Sequence, residues 1–301
     1  MSRMKVAGTL SIVLALFVCT LSAFAAARII ATPVSVHDTK VTAELATLQP
    51  SSGLLSVAIG EPIYLEAQVD DGTVVNSVAW VLTSKPGTST AGIGAELVPM
   101  TVPSYNVSHR ETHDVASRAT LIPDVVGLYE IEATIQTDGD PIVLTATASG
   151  GKYAGIGDVI GGDGGPITTP QCGTCHVLDN KVEPYLATGH ADMAERGING
   201  TLSSHYGDSC LLCHTLGYEL TLDNDGWGNS ADEAGWTFPA VLDAAAWTAV
   251  PADMKRVANI QCESCHGAGS EHSGDPRAVS VSQDVGVCAK CHDDNHYHVR
   301  P

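Results

Sequence analysis

The chain has 301 residues, with 15 Lys and Arg against 34 Asp and Glu and a formal net charge of −19. That balance excludes nucleic acid as the expected partner, because phosphate contacts need a basic patch. It suits a basic redox partner or cations, and equally plain solubility.

At the start, Arg3 and Lys5 precede an apolar run from Val6 to Ala25, with small-x-small cleavage sites at Ala23-Phe24-Ala25 and Ala25-Ala26-Ala27. Residues 1–27 read as a secretory signal peptide. Its removal leaves 13 basic against 34 acidic residues, a net of −21. Cys19 lies inside the run as a candidate lipid acceptor, but Val18 before it is large and apolar residues continue after it, so the expectation is no lipid. No later apolar run is long enough to span a bilayer. The sequence therefore predicts an exported protein, periplasmic or extracellular, without a membrane span.

Residues 28–148 contain no cysteine and read as strands. Ile63, Leu65, Ala67 and Val69 alternate with Tyr64, Glu66 and Gln68; Val74 to Leu82 is β-branched and carries Trp80; Leu128 to Ile135 alternates again, and Ile142 to Ala148 closes the region. Turn residues such as Asp70-Asp71-Gly72 and Asp138-Gly139-Asp140 separate the runs, a pattern that predicts an all-β sandwich. Asp124-Val-Val-Gly127-Leu-Tyr129 resembles the tyrosine corner of immunoglobulin-like folds, and Trp80 is a candidate for their buried tryptophan. Without a disulfide pair, the segment is similar to bacterial immunoglobulin-like modules rather than antibody domains. That resemblance implies a fold and little about function. His37, His109 and His113 lie here and are expected to be surface or loop histidines.

Gly150 to Gly165 holds eight glycines in sixteen residues. Residues 149–165 are therefore expected to be a flexible linker.

Residues 166–301 carry all eight remaining cysteines in four Cys-x-x-Cys-His units. They are Cys172, Cys175 and His176; Cys210, Cys213 and His214; Cys262, Cys265 and His266; and Cys288, Cys291 and His292. This is the attachment pattern of c-type haem. Two thiols two residues apart each add to a haem vinyl group, and the next His ligates the iron. Zinc sites and disulfides also use paired cysteines, yet neither accounts for a His after all four pairs. Four covalent haems are expected, with His176, His214, His266 and His292 proximal. So short a segment builds only a small apolar core of its own. A haem-packed domain of short helices and loops is expected, with candidate helices at Val182 to Glu195, Pro239 to Thr248 and Pro251 to Ile260. Trp227, Trp236 and Trp247 are expected to pack as core residues.

Each iron has a sixth position. His190, His205, His272, His296 and His298 are five candidates for four places. His272 and His298 each follow a proximal His by six residues, which favours His298 over His296 and suggests ligation of a neighbouring haem. Met193 and Met254 are rival ligands that would raise the potential. Asp223, Asp225, Gly226, Asn229 and Asp232 roughly follow a calcium-loop spacing, but Thr221 and Asp232 break it, and an ordinary acidic turn is expected.

Cys262-Glu-Ser-Cys-His266-Gly-Ala-Gly-Ser-Glu-His272 resembles a signature of the multihaem cytochromes related to the tetrahaem carriers of ammonia oxidisers. Cys210-Leu-Leu-Cys-His214-Thr-Leu-Gly-Tyr218 and Gly235-Trp-Thr-Phe-Pro239 fit the same group, although Ala268 replaces its usual Pro. The resemblance spans about 170–295. It implies closely stacked haems in alternating parallel and perpendicular pairs, and the family includes filament-forming extracellular cytochromes. The expected function is thus non-enzymatic electron transfer through bis-His haems to redox partner proteins or extracellular acceptors, with head-to-tail homopolymers as a further expectation. The alternative is a reductase of a nitrogen or sulfur oxyanion with one open haem. Residues 166–301 have only seven basic residues, which disfavours a site for such an anion.

Overall fold

The computed structural model describes residues 27–102, 113–157, 171–219, 222–282 and 286–292. The signal peptide expected over 1–27, with Cys19, therefore lies outside the described residues except for Ala27, as do His109, His296, His298 and residues 158–165 of the expected linker.

The first half forms two four-stranded sheets. One has the order β1 (Arg28–Ala31), β3 (Ile63–Asp70), β6 (His113–Leu121), β5 (Ile93–Gly94); the other has β2 (Ser56–Ala58), β8 (Ile142–Gly151), β7 (Gly127–Thr137), β4 (Val75–Ser84). All pairings are antiparallel except β2 with β8, where Ser56 faces Ser149. Alternation explains the layers. Ile63, Leu65, Ala67 and Val69 of β3 meet Tyr129, Ile131, Ala133 and Ile135 of β7 in one apolar core between the sheets, since every second side chain points to the same face.

The other face of β3 is buried as well. Tyr64 packs with Val34, Leu45, Val98 and Val102 in a second cluster. Beside it, Glu66 is fully buried and accepts from both Nε and Nη2 of Arg118, at 3.0 and 2.9 Å, and from Thr32 and Gln68. A carboxylate is tolerated there because its charge is paired and its lone pairs are filled.

The tyrosine tie expected at residue 129 is present as a set of hydrogen bonds. The Tyr129 hydroxyl donates to the Val125 carbonyl at 2.6 Å and accepts from its N–H at 3.1 Å. Trp80, the candidate for a buried tryptophan, is only partly buried. It stands on β4 at the edge of its sheet, packs against the core, and donates from Nε1 to Ser117 Oγ at 3.1 Å.

After β8 the chain does not leave the body at once. Residues 152–157 run into the second half, where Tyr153, Ala154 and Ile156 are buried. That half consists of short helices, the longest of them α6 (Trp227–Ala234), which Gly235 ends in a left-handed conformation at φ 61°. Its core gathers Tyr206, Leu211, Trp227, Met254 and Val257, and it includes Ala58 from β2. No helix among the described residues is long and apolar enough to cross a membrane.

Candidate functional site

Three of the four Cys-x-x-Cys-His units end on the His of a single helical turn: α2 (Cys172–His176), α5 (Leu211–His214) and α9 (Cys262–His266). In the fourth, Cys288 lies in α10 (Gly286–Ala289), and the N–H groups of Cys291 and His292 bond to its carbonyl. A helical turn places side chains i and i+3 on one face, so each thiol pair points the same way with its His one residue on. None of these eight cysteines forms a disulfide among the described residues.

The thiols also approach one another between motifs. Cys172 is hydrogen-bonded to Cys262, and Cys213 to Cys291; that bonding, followed by burial, holds Cys172 and Cys213 firmly as thiols. Burial, with Cys288, Cys291 and Cys262 nearby, raises Cys265. Thiols of the first and third motifs, of the third and fourth, and of the second and fourth thus lie near one another.

The histidines are oriented by what Nδ1 touches. In His266 it lies 2.7 Å from the Ser280 carbonyl, and in His272 it lies 2.9 Å from the Asp275 carbonyl. A carbonyl can only accept, so Nδ1 carries the proton and Nε2 keeps its lone pair, the tautomer a metal requires. Asp179 Oδ2 plays the same part for His176 at 3.0 Å, and the Tyr206 hydroxyl lies 3.3 Å from Nδ1 of His214.

Two candidate distal residues lie opposite candidate proximal ones. The rings of His176 and His272 have centroids 6.2 Å apart and planes 9° from parallel; those of His190 and His292 are 5.9 Å apart at 48°. Metal–imidazole bonds of about 2 Å on either side of one ion separate two ring centres by about 6 Å. His205 is exposed, and among the described residues it makes no ring contact with a proximal imidazole. Met254 is fully buried in the apolar core, and Met193 begins α4 (Met193–Ile198). Among the described residues no group of three or more His, Cys, Asp or Glu gathers around one point. The acidic turn is held by Lys152, whose Nζ bonds Asp223 and Asp225 at 3.0 and 3.1 Å. Burial pulls the Lys152 pKa down, but the two carboxylates outweigh it and leave it raised.

The segment after β8 anchors two motifs. Glu263, inside the third motif, accepts from the N–H groups of Ala154, Gly155 and Gly269 at 2.7 to 2.9 Å. Gln261 accepts from Ile156, and the carbonyls of Gly155 and Ile156 accept from Cys172 and Gly173 of the first motif. Ser280 joins this frame to the sheets. Its hydroxyl lies 3.2 and 3.1 Å from N and Oγ of Ser56 on β2, while its carbonyl holds His266.

Asp179, Tyr206 and Ser280 were not singled out in the sequence. Asp179 has a local signal, three residues after His176, but Ser280 stands fourteen residues from the histidine it orients. Comparison with protein-family models, with curated proteins and with solved structures returned no match.

Proposed function

We propose that the protein is an exported tetrahaem c-type cytochrome that carries electrons and performs no substrate chemistry. The carrying observation is the His176–His272 pair: two imidazoles at the separation one metal ion would set, each with Nδ1 committed to an acceptor. The thiols of each motif would hold one haem covalently, and His176, His214, His266 and His292 would supply the first axial nitrogen. Haem iron, when bound, supplies a one-electron ferric/ferrous couple. The chain's part would be to bring the four sites together, close their axial positions and keep the ligating tautomer.

His272 and His190 are the distal partners for the first and fourth sites in this reading. His205, His296 and His298 remain for the second and third, three residues for two places. The surplus supports head-to-tail association, in which a histidine of one copy ligates in the next; heterologous contacts that do not close make filaments. The front half is read as an immunoglobulin-like sandwich, supported by the Tyr129 tie and the shared core of the two sheets. The acceptors would be redox proteins or extracellular electron acceptors, with no nucleic acid involved.

Intact mass of the secreted protein tests the cofactor number. The signal-cleaved chain plus four haems is expected, and three haems or a bare metal would overturn the reading. Electron paramagnetic resonance of the oxidised protein tests ligation. A large high-spin signal abolished by cyanide would instead favour the reductase.

A further inference from the structure

The acceptors on Nδ1 differ in kind from site to site. His176 meets the carboxylate of Asp179 at 3.0 Å, His266 the Ser280 carbonyl at 2.7 Å, and His214 the Tyr206 hydroxyl at 3.3 Å. An acceptor that draws on the Nδ1 proton makes the imidazole a stronger donor through Nε2. A full negative charge does so most and a neutral hydroxyl least. A stronger axial donor favours ferric over ferrous iron and lowers the potential.

Resting on the haem reading above, we propose that Asp179 is a positioning residue that gives the iron on His176 the lowest potential of these three sites, while Tyr206 leaves the iron on His214 the highest. The far side of the first site points the same way, because Nδ1 of His272 donates to the Asp275 carbonyl at 2.9 Å. Both axial imidazoles there have their proton drawn. The Asp179 side chain is 60 % exposed, so water screens its charge at a distance and its effect falls on the imidazole it touches. The graded acceptors would therefore order these three irons in potential, that on His176 lowest, that on His266 between and that on His214 highest.

The test is an optically monitored redox titration of the full-length, haem-loaded protein and its variants, with haem number checked by mass. Asp179→Asn keeps an oxygen for the Nδ1 proton and removes the charge. It is expected to raise one step, which in the wild-type protein lies below at least two others, and leave the other three in place. Glu183→Gln removes a nearby exposed carboxylate that holds no histidine and is expected to move nothing; Asp179→Glu should restore a low step. Four unchanged steps in Asp179→Asn, an equal shift of all four, or a rise in a step that lies above two others in the wild type would overturn the proposal. Should Asp179→Asn not load, His272→Met serves instead, since Met raises the potential of the iron it ligates. One step that lies below at least two others in the wild type is expected to rise, and a move in any other step would overturn the proposal. A wild-type chain that carries no haem would instead sink the cytochrome reading itself.

Discussion

At the scale of single residues, features set by local spacing were legible in the sequence. The cysteines and their histidines repeat one pattern, and Tyr129 sits two residues after Gly127 behind a turn. Tyr129→Phe removes a hydroxyl that both donates to and accepts from Val125. Leaving those backbone groups partly unpaired is expected to cost about 1–3 kcal/mol, read as a lower urea midpoint at unchanged slope. Roles set by packing were not legible. Nothing near Ser280 announces that its carbonyl orients His266, and Glu66 reads as an exposed polar residue until Arg118 is seen against it. The distal histidines fall between these cases. Spacing nominated His272 without naming its partner, and the structure sets it opposite His176. Replacing His272 by Ala is expected to convert one haem to high spin in paramagnetic resonance, and His190→Ala a different one. Unchanged spectra in both would remove them from the ligand set.

At the scale of elements, the four strands read from alternation are present, whereas β6, with Ser117 and Arg118 interrupting its apolar residues, gave no clean period. The helices are shorter than their patterns suggested. The stretch from Val182 to Glu195 breaks into α3 (Val182–Leu186), a 3-10 turn over Gly189–Asp192 and the start of α4. The first turn of α4 is closed by Asn259, whose side chain accepts from Ala194 and Glu195 across the fold. A cap so distant in sequence has no local signature. Gly197 in α4 also has a tertiary reason, because a Cβ there would run into the Tyr206 ring. Gly197→Ala should therefore push that ring from His214 and perturb the second site, although alanine favours helix by about 1 kcal/mol. Perturbed haem absorption together with lower stability is the expected result. Glu263 supplies a pH dependence. Burial raises its pKa despite three backbone donors, so the folded state prefers the protonated acid. Its contribution is full below the ordinary value of about 4.3 and is lost as pH rises through the raised one. Glu263→Gln is expected to flatten that part of the curve of urea midpoint against pH, and an unaltered curve would count against this role.

At the scale of the whole molecule, composition suggested two bodies on a flexible tether, yet the two halves are joined by many contacts. Ala58 of β2 lies in the core of the second half, Tyr153 donates to Glu61 at 2.8 Å, Lys152 and Ser270 exchange hydrogen bonds, and Ser56 meets Ser280. Glycine content misled because two of those glycines serve close approach. A Cβ on Gly151 would strike Ala268, and one on Gly155, at φ +76°, would strike the Arg256 carbonyl. These contacts do not depend on the chain being continuous through residues 158–165. A protein carrying an engineered protease site in that stretch should therefore remain one particle after cutting, its two fragments eluting together from a sizing column and separating only in denaturant. Gly155→Arg would force the backbone out of its left-handed conformation and into Arg256, and is expected to release the fragments. Elution of two separate species from the cut wild-type protein would show that the sheets are a tethered appendage. Co-elution would tie β2 to the proposed electron-carrying half, since Ser56 of β2 meets Ser280, whose carbonyl orients His266.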